Sequence, residues 1–200
     1  MCLRRNERAA VKSILIFILF YALPSFGELP KNSIYQLDQK WTTQAGKLLT
    51  LPQLIGGPII ATMTYTSCPG ACPLTVSDIK SFDQKLTKSE KRQIKFLTFS
   101  IDPQRDTPEA LNKFYKKMHL DRRWTLLTSD AEQVRVLAAI LGFGYKDIGG
   151  GDFTHANTLY LLSAEGEILA RKDRRTGWNE FLEKFRAQIY KMNKIKKVGI

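Results

Sequence analysis

Two cysteines separated by three residues are the part of this sequence most able to do chemistry. Cys68 and Cys72 lie in the stretch "TYTSCPGACPLT", and each is followed by a proline. A pair at this spacing can form a disulfide, act as a redox dithiol, or supply two ligands of a metal site. A purely structural disulfide would add little stability, because it would close a very short loop. We therefore expect a reactive or metal-ligating pair.

A third metal ligand has to come from elsewhere in the chain, which contains two histidines. His119 ends a basic helical segment, "KKMHLDRR", where a solvated surface histidine is expected. His155 follows a glycine-rich loop in "GGGDFTHANTLYLL" and precedes an apolar strand. Structural zinc normally takes four protein ligands, whereas two thiolates and one imidazole suit Cu(I) or Cu(II). Cys68, Cys72 and His155 are thus candidate ligands for one copper ion per chain.

Residues 1–27 have the composition of an export signal. The basic start "MCLRRNERAAVK", which contains Cys2, is followed by the apolar run "SILIFILFYAL" and by the small residues of "PSFG" before Glu28. A transmembrane helix requires about 20 apolar residues, so we expect a signal peptide or a short membrane anchor. Residues 28–200 would form one exported domain, in the bacterial periplasm or at the outer face of the inner membrane.

The net charge of the chain is +12 at pH 7, and 44% of its residues are apolar. This composition is typical of a globular domain with a basic surface. Such a surface could approach an anionic membrane or an acidic partner. Because the domain is expected to be exported, no nucleic-acid partner is expected.

The elements that must position these residues alternate along the chain. Apolar β-branched runs predict strands, and helical spacing with capping residues predicts helices. The predicted elements are strands at 58–65, 94–101 and 124–129, helices from Pro73, from Thr107–Pro108, over 130–142 and over 178–192, and a hairpin in "NTLYLLSAEGEILAR". This order predicts an α/β, thioredoxin-like fold with a central mixed sheet, helices on both faces and a late β-hairpin.

In this plan, Cys68 and Cys72 lie where the first core strand ends and the next helix begins. The helix dipole and the free backbone N–H groups at a helix start favour thiolate over thiol. A thiolate is both the nucleophile of disulfide exchange and a soft-metal ligand. Loops at strand ends can converge on one rim of such a sheet, so His155 could reach the cysteines. The dithiol and metal-site interpretations both stay open at this point.

Four segments resemble the Sco/SenC family of copper-binding, thioredoxin-like proteins, which assist assembly of the copper A centre of cytochrome c oxidase. "TYTSCPGACP" resembles the family core Y-T-x-C-P-x-x-C-P, and "SIDPQRDTPEAL" resembles its S-x-D-P-x-R-D-T-P segment. "FTHANTLYLLSAEGEIL" is similar to the histidine-bearing segment, and "LTLPQLIGGPIIATMTY" to the strand that leads to the cysteines. The resemblance covers roughly residues 33–190. Within it, we expect Asp102 and Arg105 to form a turn and a partly exposed ion pair.

The resemblance implies that Cys68, Cys72 and His155 are the copper ligands. This chain departs from the family at one neighbouring position. Where the family commonly has an acidic residue directly before the histidine, this chain has Thr154, and the nearest acid is Asp152. A carboxylate that supports the histidine from outside the ligand set is therefore not expected to occupy its usual place.

Two functions are compatible with these residues. The first is a copper metallochaperone that receives copper from an upstream donor and passes it to cytochrome c oxidase subunit II or to another copper enzyme. The alternative is a thiol–disulfide oxidoreductase in which catalytic Cys68 and Cys72 reduce the cysteines of the acceptor and are restored by a thiol reductant. A generic thioredoxin would have C-x-x-C and a proline before "THANTLYLL". A peroxiredoxin is excluded because its P-x-x-x-T-x-x-C pattern meets Ala61 and Tyr65 here.

Overall fold

The computed structural model describes residues 28–68, 70–173 and 177–198. These residues form nine strands, five α-helices and two 3-10 helices, at Ile34–Gln36 and Leu51–Leu54. The strands are β1 (Lys40–Thr43), β2 (Leu48–Thr50), β3 (Ile59–Thr64), β4 (Lys95–Ser100), β5 (Trp124–Thr128), β6 (Tyr145–Gly149), β7 (Asp152–His155), β8 (Leu159–Leu162) and β9 (Ile168–Lys172). The helices are α1 (Ala71–Gln84), α2 (Lys88–Lys91), α3 (Pro108–Lys117), α4 (Ala131–Leu141) and α5 (Asn179–Val198).

Seven of the strands form one mixed sheet in the order β2-β1-β5-β4-β3-β8-β9. The central strands β3, β4 and β5 are parallel, and β8 and β1 pair with them in the antiparallel sense. We call the edge where the three central strands end, at Thr64, Ser100 and Thr128, the carboxyl edge. The opposite edge, where they begin, is the amino edge. The predicted mixed sheet and its late hairpin, β8–β9, are confirmed.

Helices cover both faces of this sheet, as predicted, and each face encloses a hydrophobic core. On one face, α1, α3 and α5 contribute Phe82, Phe114 and Phe185. On the other face, α4 and the two 3-10 helices pack against the sheet, with Leu137 and Leu51 in the core. Because both faces are covered, β3 is buried along its whole length. This burial makes the strand that leads to Cys68 a rigid support for the site.

The ends of α3 and α4 follow from their capping residues. The side chain of Thr107 accepts a hydrogen bond from the Ala110 N–H, with proline at the first helical position. The side chain of Asp130 caps α4 by accepting from the Gln133 N–H. α4 ends at Gly142, whose φ of 63° lies in the left-handed region that glycine adopts without strain. The predicted starts of α3 and α4 and the predicted end of α4 are confirmed.

The structure also contains elements that the sequence patterns do not predict. The hairpin β1–β2 extends the main sheet, and β6–β7 forms a separate two-stranded sheet. His155 therefore lies on a strand rather than in a loop. α1 begins at Ala71 instead of Pro73, which places Cys72 in its first turn, and α5 continues beyond residue 192 to Val198. The short helix α2 is also absent from the predicted order.

The boundary before residue 28 stays a prediction, because residues 1–27 lie outside the described part of the chain. Within the described ranges, no helix has both the length and the apolar character that a membrane span requires.

Candidate metal centre

Cys68 and Cys72 lie at the carboxyl edge, where the loop after β3 leads into α1. The backbone N–H of Cys72 donates to the Sγ of Cys68 across 3.4 Å. Cys68 is 9% exposed and Cys72 is fully buried, and both are free thiols. The sulfur of Cys68 thus lies against the N–H groups of the helix start, which stabilise negative charge.

His155 reaches the cysteines from the end of β7. Its ring is edge-on to Tyr65, with 5.7 Å between ring centroids, and stacks on Phe143 at 6.1 Å. Its Nδ1 lies 2.8 Å from the carbonyl oxygen of Ala156. A carbonyl can only accept, so Nδ1 carries a proton. Nε2 is therefore the atom that faces the sulfurs, and it lies 3.9 Å from the Sγ of Cys72.

The two sulfurs and a ring nitrogen of His155 lie within 4.8 Å of one another. Ligands held about 2.0–2.3 Å from one ion are separated by at most about 4.6 Å. Small side-chain movements would therefore let the three atoms bind one ion, and a thiolate–imidazole set suits a soft or borderline metal. Among the residues that the structure describes, no other His, Cys, Asp or Glu side chains form such a group.

The pKa values of the two thiols shift in opposite directions. Burial raises the pKa of Cys68, but hydrogen bonds from His155 and from the backbone N–H groups of Cys72 and Gly70 outweigh burial and lower it to about 6. Burial raises the pKa of Cys72 well above its ordinary value, and the adjacent sulfur of Cys68 raises it further. The metal-free pair at neutral pH thus consists of a Cys68 thiolate and a Cys72 thiol.

A buried aspartate fixes the loop that carries Cys68. Asp106 is 1% exposed and accepts hydrogen bonds from the backbone N–H of Thr66 at 3.1 Å and from its hydroxyl at 2.5 Å. It also accepts from the hydroxyl of Ser100 at 2.6 Å. Burial raises the pKa of Asp106, although these hydrogen bonds oppose the shift. Because Thr66 lies two residues before Cys68, Asp106 ties the cysteine loop to the end of β4.

The adjacent Arg105 ties the same segment to the hairpin β6–β7, which ends at His155 and is called the histidine hairpin below. Its guanidinium pairs with the carboxylate of Asp102 and donates to the backbone carbonyl of Gly151. Gly151 links β6 to β7 with a φ of 87°, and a Cβ at this position would collide with the guanidinium of Arg105. The predicted ion pair between Asp102 and Arg105 is confirmed, and it supports the strand that ends at His155.

Sequence reasoning does not identify two of the residues that build this site. Asp106 belongs to the segment "SIDPQRDTPEAL", but its partner Thr66 lies 40 residues earlier, so no local pattern joins the two residues. Tyr65 packs on His155, and its hydroxyl accepts from the backbone N–H of Phe153 at 3.3 Å. The available signal for Tyr65 is its place as the first residue of the segment that resembles Y-T-x-C-P-x-x-C-P, which does not reveal its contact with His155.

The other candidate residues lie outside the group of three. His119 is exposed just beyond α3, as expected for a surface histidine. Asp152 is exposed at the start of β7 and lines the same cleft as His155. The Nδ1 of His155 bonds to the carbonyl of Ala156, so a backbone group orients the ring where a carboxylate often does so.

A shallow cleft of about 420 Å³ connects the group of three to solvent. Cys68 and His155 line this cleft, and Ile148, which is 60% exposed, lies on its rim. The buried Cys72 does not line it. A partner molecule can therefore reach the sulfur of Cys68 before that of Cys72.

Comparisons with known proteins identify the relatives of this chain. A family model described as SCO1/SenC matches residues 29–190. The SCO1 protein homolog of Bacillus subtilis (strain 168) is 29% identical over an alignment of 131 residues, and the match covers 63% of this chain and 67% of that protein. This chain thus spans about two thirds of the length of that relative.

Solved structures of Sco proteins share the fold. The structure of Bradyrhizobium japonicum ScoI with copper bound matches with a TM-score of 0.64 and 21% identity, over 75% of this chain and 96% of that one. A structure of BsSco, a member of the Sco family of cytochrome c oxidase assembly proteins in which a disulfide switch was identified, matches with a TM-score of 0.64 and 23% identity, over 74% and 90%. These likenesses confirm the predicted thioredoxin-like fold. Since the family model matches most of the length of this chain, the chain belongs to the SCO1/SenC family.

Proposed function

We propose that this protein binds one copper ion through the sulfurs of Cys68 and Cys72 and the Nε2 of His155. The observation that carries the proposal is the convergence of three such ligand atoms within 4.8 Å. The hydrogen bond from Nδ1 to Ala156 points Nε2 at the sulfurs. Sulfur ligands favour Cu(I), and imidazole also accommodates Cu(II). The copper-bound ScoI of Bradyrhizobium japonicum supports this choice of metal.

Copper in this site would be cargo. Three protein ligands leave the ion open to attack, and the cleft beside Cys68 gives the thiolates of an acceptor a route to it. We infer that the acceptor is a copper enzyme of the respiratory chain, with the copper A centre in subunit II of cytochrome c oxidase as the first candidate. The naming of BsSco as a member of a family of cytochrome c oxidase assembly proteins supports this acceptor. The leader at 1–27 supports an exported location.

Copper binding is tested by loading the reduced full chain with copper and removing the excess. We expect about one copper per chain, with a sulfur-to-copper charge-transfer absorption. His155→Ala removes one of three ligands and should weaken binding roughly ten-fold or more. His119→Ala is the matched control, because that histidine is exposed beyond α3, and it should bind copper normally. An unchanged affinity and spectrum in His155→Ala would reject the third ligand.

The unequal thiol pKa values favour a second candidate function, reduction of the acceptor's cysteines. The Cys68 thiolate would attack one sulfur of an acceptor disulfide, which forms a mixed disulfide and releases the other acceptor sulfur as a thiolate. Cys72 would pass its proton to the acceptor thiolate released in the first step and attack the sulfur of Cys68. This step releases the reduced acceptor and leaves a Cys68–Cys72 disulfide. Two electrons pass to the acceptor, and a thiol reductant of the compartment must restore the pair.

The two functions are separated by oxidase assembly in cells that carry variants of this chain. Copper delivery requires all three ligands, so Cys68→Ser/Cys72→Ser and His155→Ala should both fail, whereas His119→Ala should succeed. Dithiol chemistry requires the cysteines above all. Assembly that is supported by His155→Ala but not by the double serine variant would therefore favour reduction over copper delivery.

A further inference from the structure

A second charged surface lies at the amino edge, opposite to the cysteines. The stretch "KLTKSEKRQIK" (85–95), between α1 and β4, contains five basic residues and one glutamate. The segment before β5 adds Arg122 and Arg123. Because α1 and α3 run from the carboxyl edge back to the start of the next strand, both segments lie at the amino edge. Residues far apart in sequence thus concentrate positive charge on one end of the molecule.

Part of this charge is neutralised within the protein. Arg123 contacts Asp83 at 2.7 Å and Asp121 at 2.6 Å, and it is largely covered. Lys91 lies 3.5 Å from Asp83. These acids hold the segment before β5 against the end of α1, so the local backbone is fixed. Asp121 also attracts the neighbouring Arg122 electrostatically, although the two form no ion pair.

Three exposed cations of this edge are free to meet an outside ligand. Arg92, Lys95 and Arg122 line one open cleft. Within the described ranges, none of the three forms an ion pair. The cleft has one carboxylate among its lining residues, Asp121, and Arg123 already binds it. The cleft therefore suits an anionic ligand.

The polypeptide enters the domain at the same edge. The N–H of Ile34 donates to the carbonyl of Gly166 at 3.0 Å, in the turn between β8 and β9. Leu162, which precedes that turn, pairs with Ile59 at the start of β3. The first described segment is thus fixed at the amino edge. In sequence, the apolar run at 13–23 lies close before it.

We propose that the amino edge docks on a membrane containing anionic phospholipids, with Arg92, Lys95 and Arg122 binding the headgroup phosphates. Charge complementarity supports this surface, and the entry of the chain from a leader of membrane-directed composition favours a membrane over an acidic protein. In this orientation, the carboxyl edge faces away from the lipid. The cleft beside Cys68 is then open to a partner in the compartment. The proposal does not depend on copper binding.

The expected strength of docking follows from the number of cations. Each basic residue near an anionic membrane surface strengthens binding roughly five-fold. The attraction decays over a Debye length of about 10 Å at 0.1 M salt, so it should be sensitive to ionic strength. Reversing two of the three charges should weaken docking at least ten-fold.

The test is lysine footprinting of the full chain on phosphatidylcholine vesicles with and without phosphatidylglycerol. Brief acetylation followed by mass spectrometry reports the accessibility of Lys95 at the amino edge and of the exposed Lys146 on β6, beside the carboxyl edge. Because the basic start of the leader also responds to headgroup charge, the variant Arg92→Glu/Arg122→Glu, which keeps the leader, assigns the protection to the amino edge. We expect phosphatidylglycerol to slow acetylation of Lys95 at least five-fold, to leave acetylation of Lys146 unchanged, and to lose its effect at high salt. Arg92→Glu/Arg122→Glu should abolish the protection.

The matched control is Arg135→Glu/Lys146→Glu, which makes the same change of charge at exposed positions of α4 and β6 on the side of the carboxyl edge and should keep the protection of Lys95. Equal acetylation of Lys95 on both kinds of vesicle would overturn the proposal. Equal protection of Lys95 and Lys146 would also overturn it, because the attraction would then not be confined to the amino edge. Shielding of Lys95 by soluble polyglutamate with no response to vesicles would assign the edge to an acidic protein instead.

Discussion

Cys68 and Cys72 have different chemistry although they share one helix start. The sulfur of Cys68 receives the backbone N–H of Cys72 and lines the open cleft, whereas Cys72 is fully buried. His155 stands beside both and keeps one nitrogen directed at them. We infer that a partner meets Cys68 first, whether it exchanges a metal ligand or a disulfide.

This difference predicts the pH dependence of thiol alkylation in the reduced, metal-free protein. A brief pulse of iodoacetamide should modify Cys68 with a midpoint near pH 6, because its pKa is lowered to about 6 and the thiolate is the nucleophile. Below that pH, the reaction should fade as the thiolate is protonated. Cys72 should stay unmodified at neutral pH, because its pKa is raised. Mass spectrometry of the peptides measures both sites.

The control for the alkylation experiment is His155→Ala. Loss of the imidazole removes a hydrogen bond that lowers the pKa of Cys68, so the midpoint should move to higher pH. Equal alkylation rates for the two cysteines, or a midpoint near the ordinary value of about 8.5 in the unaltered protein, would contradict the assigned asymmetry.

Among the connections between elements, the loop after β4 holds the cysteine loop through Asp106. Asp106→Ala would leave the hydroxyl of the buried Ser100 and the N–H and hydroxyl of the half-buried Thr66 without their acceptor, at a cost of about 1–3 kcal/mol in the free energy of unfolding. The loop that carries Cys68 should also loosen, which lowers copper affinity although every ligand is present. Urea unfolding and copper titration measure the two effects. Asp38→Ala, which changes an exposed side chain, should change neither. Wild-type stability in Asp106→Ala would refute the role of Asp106 in holding the cysteine loop.

The same connection supports the histidine hairpin through Arg105. Arg105→Ala removes the contact with the carbonyl of Gly151 and the ion pair with Asp102. We predict faster hydrogen–deuterium exchange in residues 145–155 and little change in β3 or β4. Arg135→Ala is the matched control, because Arg135 and Arg105 line one cleft beside β6 and β7, but Arg135 forms no ion pair among the described residues. Equal exchange in the two variants would mean that Arg105 does not hold the hairpin.

The elements that could be predicted are those whose sequence carries a local signal. β3 is a continuous apolar run because both faces are buried, and α3 begins at a threonine cap followed by a proline. β6 and β7 are short, largely exposed strands with glycines between them, so no alternation of apolar and polar residues marks them. The ligand types were predictable from donor chemistry. The hydrogen bonds by which Asp106 holds the cysteine loop were not predictable, because they join distant segments of the chain.

For the whole molecule, the site lies between two sheets that share no strand pairing. Cys68 and Cys72 are attached to the seven-stranded sheet through β3 and α1, whereas His155 belongs to the separate sheet β6–β7. Packing of Tyr65 against Phe153 at 5.2 Å is one of the contacts that hold the two together. An ion bound to all three ligands would therefore cross-link the two parts.

This cross-link predicts where copper stabilises the protein. Binding to the folded state alone should raise the free energy of unfolding by about 4 kcal/mol when free copper is 1,000 times the Kd, and a chelator should reverse the gain. Hydrogen–deuterium exchange should slow in β7 and in the first turn of α1, with no change at the amino edge, because the ion contacts only the carboxyl edge and the hairpin. In His155→Ala, copper held by the cysteines would leave exchange in β7 unchanged. If copper slowed hydrogen–deuterium exchange in β7 equally in that variant and in the unaltered protein, the ion would not join the two sheets through His155.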